Sequence, residues 1–234
     1  MSNAPTRLFP SFDAGTPIYE MLRDEIISGS LGPNTRLKVA DISERYGVSA
    51  SPVREALQQL RGEGFVVMET NKGARVRAID VDFVHNITEI QALIEASLTR
   101  WFVGIASDSD VLALEAKQSE IEELNFSDMA QHGQLDLEFH DLFYGRHYNI
   151  DAIALWRKHR EVLRALGKRF PRSMARRAAV MREHRGLIEC VRAQDADGAA
   201  QIVARHVEGS GQHIIEQMSV ARRESSTGRR KLGS

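Results

Sequence analysis

The chain has 234 residues and a formal net charge of -1, so overall charge singles out neither a nucleic acid nor a membrane surface as partner, and the length allows one large domain or two smaller ones. Its 42% apolar content supports a buried core, but the absence of any run of about 18 or more apolar residues excludes a membrane-spanning helix. Cys190 is the only cysteine, which excludes an intrachain disulfide framework, and the opening MSNAPTRLFPSFDAG lacks the basic-then-apolar order of a secretion signal, so a cytoplasmic protein is expected.

Residues 1–16, rich in Pro, Ser, Asn and Gly, read as a flexible arm. In the following PIYEMLRDEIISGSL, Thr16 is placed to cap a helix and Pro17 to occupy its first position, with Ile18, Leu22 and Ile26 forming an apolar stripe. Gly29 and Gly32-Pro33 end that helix. A second short helix spans 39–46, Gly47 makes a turn, and a third helix runs from about 50 to 62. From Gly64 the period changes to two, and FVVMETNKGARVRAI reads as strand, turn, strand. Three helices and a hairpin make a winged helix-turn-helix over 17–78.

From about residue 80 the text is helical, with helices expected near 81–106, 110–124, 128–146, 150–168, 172–193 and 196–220. Short links between them point to an antiparallel all-α bundle over 79–220, followed by a basic flexible tail at 221–234. The fold class is therefore mainly α. Charge follows the same division. Residues 36–77 hold eight Lys and Arg against five Asp and Glu, whereas 79–220 hold sixteen against twenty-two, a basic head on an acidic body.

The third helix, within VSASPVREALQQLRGEGF, buries Val53, Ala56, Leu57 and Leu60 on one face and turns Ser51, Arg54 and Gln58 outward. Ser49 or Ser51 is placed to cap its orphan N–H groups. The second helix of such a pair enters the major groove by its N-terminal part, where Arg can grip guanine or phosphate and Ser can bond either. Lys72 and Arg75 stand on the hairpin, where a wing would meet phosphates or the minor groove. Each residue alone fits an ordinary solvated face; the combination favours double-stranded DNA as partner.

Residues 17–78 resemble the DNA-binding domain of the GntR family of bacterial transcription regulators, through PIYEMLRDEIISGSLGPNTRL, DISERYGVSASPVREALQQLRGEGFV and the wing NKGARV. The resemblance implies that Ser49, Ser51 and Arg54 meet DNA together with the wing at Lys72, Gly73 and Arg75. Ala50 and Ala40 stand where family members commonly carry basic residues, and Arg36, Lys38 and Arg45 are candidates to offset that loss.

In the helical region, Asp136 and His140 of LDLEFH lie four apart and so share a helix face. His184 shares a face with Leu187, Ile188 and Val191, and His206 with Ile202 and Val203, so both imidazoles are expected to point inward. A lone inward histidine is ordinarily a hydrogen-bonded core residue. Three converging with an aspartate would suit a divalent ion, Zn first, with Ni, Mn or Fe as alternatives. Whether the helices converge is left open by spacing.

Residues 82–220 resemble the FCD effector domain of the FadR-type branch of GntR regulators. Its metal-binding members use a D-x3-H pair and two later histidines; here the gaps are 4, 44 and 22. The resemblance implies Asp136, His140, His184 and His206 as ligands, leaving His132, His147, His159 and His213 to surface or packing. Gln91 in QALIE stands where the family usually has an Arg that helps hold an anionic effector, and Arg160 and Arg164 are candidate substitutes.

The expected protein is a homodimeric repressor on a palindromic operator, controlled by a small organic acid at the metal. Rival readings are a regulator for which the ion itself is the signal, a structural metal without an effector, and a metalloenzyme. Against the last, Glu138 points to the side of its helix away from positions 136 and 140, which leaves no evident general base.

Overall fold

The computed structural model describes residues 17–69 and 73–231. The chain divides into two compact units between Ile79 and Asp80. Nine helices and three short strands lie among the described residues.

The first unit runs α1 (Ile18–Ser28), β1 (Arg36–Leu37), α2 (Val39–Tyr46), α3 (Ala50–Glu63), β2 (Val66–Glu69) and β3 (Gly73–Val76). Its core joins Leu22 and Ile26 of α1, Ile42 of α2, Val53 and Leu60 of α3, and Phe65, all buried. The link from α2 to α3 turns at Gly47, whose φ of 65 is left-handed and whose N–H closes the helix on the Ser43 carbonyl. Pro17 is the N-cap of α1 rather than its first helical residue; Thr16 lies outside the described residues. The strands form an antiparallel sheet in the order β1-β3-β2, with Arg36 opposite Arg75 and Val66 opposite Val76. β1 escapes a periodicity reading because two residues are too few to alternate.

The second unit is α4 (Val81–Val103), α5 (Asp108–Leu124), α6 (Met129–Tyr144), α7 (Ile150–Arg169), α8 (Met174–Arg192) and α9 (Ala196–Lys231). Side chains fix where these helices begin. Asp80 accepts from the Phe83 N–H at 2.9 Å, Asp128 from the Ala130 N–H at 2.8 Å and Asn149 from the Ala152 N–H at 3.0 Å. The Asp110 carboxylate reaches back to the Ser107 N–H at 2.9 Å, which starts α5 two residues earlier than expected. α9 continues to Lys231, through residues read from composition as a tail; the good helix formers of ARRE, from 221 to 224, offer no stop signal.

α4 packs along α9, α9 along α8, and α5 against both α6 and α8. Their shared core includes Phe102, Leu114, Phe139, Phe143, Trp156 and Leu187. Each such side chain contributes about 1.5–3 kcal/mol on burial, which gives α6 and α8 a rigid backing where they carry polar groups inward.

Candidate functional site

In the first unit, α3 buries Val53, Ala56, Leu57 and Leu60 and exposes Ser49, Ser51, Arg54 and Gln58. Ser49 is the N-cap, yet neither it nor Ser51 caps the helix through its side chain. The reason is local: Pro52 occupies the third helical position, so the N–H that an N-cap hydroxyl commonly takes does not exist. The Ser49 hydroxyl therefore stays exposed, while Ser51 donates to Glu55 at 3.2 Å. Arg54 makes no ion pair among the described residues.

Arg36 and Lys38 are exposed beside α2, with Lys38 3.5 Å from Asp41. Arg75 is half-buried on β3 and donates to the Asn34 carbonyl at 2.8 Å. Gly73 opens β3 with φ 77, and Lys72 lies outside the described residues. Arg45, a candidate to offset the alanines at 40 and 50, is instead turned onto the buried Glu25 of α1.

In the second unit the four expected ligands are all buried, Asp136 at 4% exposure, His206 at 2%, His140 and His184 at 0%. His140, His184 and His206 each bring a ring nitrogen to within 4.8 Å of the others. Asp136 stands beside this triad, its Oδ1 3.5 Å from His184 Nε2. Elements far apart in sequence supply them: α6 gives Asp136 and His140, α8 His184 and α9 His206.

The surroundings orient the rings. Gln118 Oε1 lies 2.9 Å from His184 Nδ1, and Glu183 Oε2 lies 2.8 Å from His206 Nδ1. Each acceptor favours the Nδ1–H tautomer and leaves Nε2 available as a donor to an ion. Glu183 is itself gripped by both terminal nitrogens of Arg176 at 2.8 Å. That guanidinium crosses Gly209 so closely that a Cβ there would lie 2.8 Å from Nη1. Burial opposes the charged form of Glu183, but the hydrogen bonds from His206 and Arg176 prevail and bring its pKa down to about 2.

His140 Nε2, His184 Nε2 and Asp136 Oδ1 are buried with no hydrogen-bond partner among the described residues. A buried polar group left unsatisfied costs about 1–3 kcal/mol, so a cluster of them facing one another is the arrangement that a bound ion relieves. Burial, then the Arg160 charge, holds His140 well below its ordinary pKa; burial, then the neighbouring His206, does the same for His184. Both are thus neutral, as ligation requires. Burial would raise the Asp136 carboxyl, but Arg160 and Arg172 outweigh it and hold the group well below the usual range. Imidazole and carboxylate donors of this kind suit a divalent transition metal.

A cavity of about 320 Å³ opens beside the cluster, with Asp136 and His206 in its wall. Arg160 and Arg164 line it, as does Arg172, which sequence reasoning passed over. Arg160 Nη2 donates to Asp136 Oδ2 at 2.6 Å, and Arg172 Nη2 lies 3.6 Å from the same oxygen. Arg164 is engaged by Glu161. Gln91 is not among the lining residues: it is buried behind Glu95, donating to Glu95 Oε1 at 3.0 Å and to the Trp156 carbonyl at 3.2 Å. Its amide therefore props the carboxylate that borders the cavity. Glu138 faces outward to Lys117 at 2.9 Å.

Gln118 and Glu183, which hold the rings of His184 and His206, belong to no motif in the sequence. Gln118 shares the stripe of Leu114 and Ile121 on α5, and a polar residue on an apolar stripe was the available signal. His132, which the sequence assigns to surface or packing, is 1% exposed and also lines the cavity.

A family profile described as "Bacterial regulatory proteins, gntR family" matches residues 15–76, and one described as "FCD domain" matches residues 86–209. The chain is a GntR-family transcriptional regulator with an FCD domain. The HTH-type transcriptional repressor RspR of Escherichia coli (strain K12) is 26% identical to this regulator over 234 residues, 94% of this chain and 96% of the relative. The HTH-type transcriptional repressor GlaR of the same organism is 28% identical over 207 residues, 81% of this chain and 90% of the relative. Among solved structures, E. coli McbR/YncC superposes with TM-score 0.63 at 18% identity, covering 86% of this chain and 96% of that one. Family and relatives make the regulator a DNA-binding protein rather than an enzyme. No helix among the described residues is long and apolar enough to cross a membrane.

Proposed function

We propose that this regulator is a repressor of a metabolic operon that binds a palindromic operator as a homodimer and releases it when a small organic acid enters the C-terminal cavity beside a divalent metal ion. One observation carries the reading: Asp136, whose buried Oδ1 has no hydrogen-bond partner among the described residues, and His206, a member of the histidine triad, also form part of the cavity wall. Asp136, His140, His184 and His206 would hold the ion, with Zn the first expectation and Ni, Mn or Fe the alternatives. When bound, the ion supplies a Lewis-acidic position for an oxygen of the acid. Arg160 and Arg172 stand at the same end, and their planar guanidinium groups suit a carboxylate. Among the relatives, RspR and GlaR are named as repressors, which favours repression here.

On the DNA side, Ser49, Ser51 and Arg54 would enter the major groove, and Arg36, Lys38, Lys72, Gly73 and Arg75 would meet backbone or minor groove. Acid and operator would then oppose each other reciprocally, typically by 5–150-fold. The test is fluorescence anisotropy on a duplex selected from a random pool, with Zn-loaded protein titrated by small carboxylates. An acid that lowers DNA affinity in wild type but not in His184→Ala supports the reading. If chelation alone releases DNA and no acid alters binding, the ion is the signal. If neither acid nor chelator changes binding, the reading fails.

A further inference from the structure

The cavity differs in character along its length. Asp136 of α6, Arg160 of α7 and His206 of α9 line one part of it; about two turns or more away along the same segments stand Met129, Phe170 and Ile214, and Ala130, Leu163 and Val207 add to the apolar lining. Most polar side chains along this apolar stretch are already engaged. Arg164 is paired with Glu161, and Ser210 accepts from Arg176 at 3.1 Å. His213 Nε2 lies between the Ser173 N–H at 3.2 Å and the Pro171 carbonyl at 3.1 Å. Lys168 is exposed at the rim.

His132 is the exception. It is 1% exposed, lines the cavity, and neither ring nitrogen has a hydrogen-bond partner among the described residues. Its ring plane is held by Phe126, stacked at 4.0 Å between centroids and 18° between planes. It sits one turn before Asp136 on the same face of α6, so their Cβ atoms are about 5–6 Å apart. A neutral imidazole offers one donor and one acceptor, here at the boundary between the charged end and the apolar wall.

We infer that the cavity takes a monocarboxylate with an apolar body and a single hydrogen-bonding substituent, and that His132 is the residue that reads this substituent. The inference rests on the reading that an organic acid occupies this site. A sugar acid is disfavoured because each of its several hydroxyls would lose water against a wall most of whose polar groups are already engaged. A bare apolar acid would leave both His132 nitrogens unpaired. One hydroxyl placed at His132 satisfies them in part and leaves the rest of the molecule to the apolar wall.

The experiment is isothermal titration of the Zn-loaded full chain with four probes: benzoate, 3-hydroxybenzoate, 4-hydroxybenzoate and gluconate. At least one hydroxybenzoate is expected to bind about tenfold tighter than benzoate, the scale of one net hydrogen bond to a buried group, and gluconate weakest. His132→Phe, which keeps a ring against Phe126 but removes both nitrogens, should erase the hydroxyl preference and leave benzoate affinity within about twofold. His132→Gln, with a donor and an acceptor, should restore part of it. Tighter binding of gluconate than of the aromatic acids, or a hydroxyl preference that survives His132→Phe, overturns the inference while leaving an acid-responsive regulator standing. If none of the four binds, the inference is likewise overturned, and the DNA-release measurement with a wider set of carboxylates then decides whether the proposed function falls with it.

Discussion

The two units treat their polar residues in opposite ways. In the N-terminal unit the residues facing the expected DNA are outside: Ser49, Ser51, Arg54 and Gln58 are exposed, while the opposite face of their helix buries Val53, Ala56, Leu57 and Leu60. In the C-terminal unit the candidate ligands are inside, and His140 Nε2, His184 Nε2 and Asp136 Oδ1 have no hydrogen-bond partner among the described residues, in a core that includes Phe139, Leu187 and Val203. An exposed contact loses little when its partner is absent, because water replaces it. A buried donor cluster has no such substitute, so its energetics depend on what occupies it. Changes in the second unit should therefore be large and specific to the ion, and changes in the first graded and dependent on salt.

The largest effect is expected for His184→Ala. Removing a buried ligand should weaken Zn binding by more than the roughly 10–100-fold typical of lost supporting groups, as read by competition with a chelating dye, while DNA affinity without acid stays near wild type. A comparable loss of DNA affinity would break the contrast between the units. Gln118→Leu comes next. It keeps bulk but removes the acceptor from His184 Nδ1, and should cost about 10–100-fold in Zn affinity; no change would mean that Gln118 does not orient the ring.

Arg54→Ala should weaken operator binding by about 1–3 kcal/mol with relaxed preference at one base pair if it reads a base edge. If it holds a phosphate, the loss should be uniform across sequences, with a salt slope lower by about one. The smallest effect concerns pH. Burial holds His132 down at about 4 against an ordinary value of 6.5. Between those values the unfolded chain binds a proton that the folded one does not, so stability of the chelator-treated protein falls as pH drops from about 6.5 toward 4. His132→Phe should flatten that slope in thermal denaturation; an unchanged slope would assign it to other groups.

Much of this was legible in the residues. Apolar spacing located the helices because a helix that buries one face must repeat its apolar residues every three or four positions. The caps at Asp80, Asp128 and Asn149 mark helix starts for a similarly local reason: a side chain satisfies N–H groups two or three residues away. The same local logic misled at Ser49, where the proline three positions on removes the N–H that a capping hydroxyl would take. Gln91 misled differently. Its position in QALIE pointed to the effector, yet its amide supports Glu95 from behind, a choice made by Trp156 on α7, whose indole N–H also donates to Glu95.

The sequence by itself determined the class of protein, the order of its helices and hairpin, and the inward faces of His184 and His206, because periodicity, caps and turn residues act over a few positions. Only the tertiary structure decided that α6, α8 and α9 bring those rings together, that Gln118 and Glu183 support them, and that His132 lines a cavity rather than merely packing. Those facts depend on residues tens of positions apart meeting at one point, and their meeting is set by how whole helices stack.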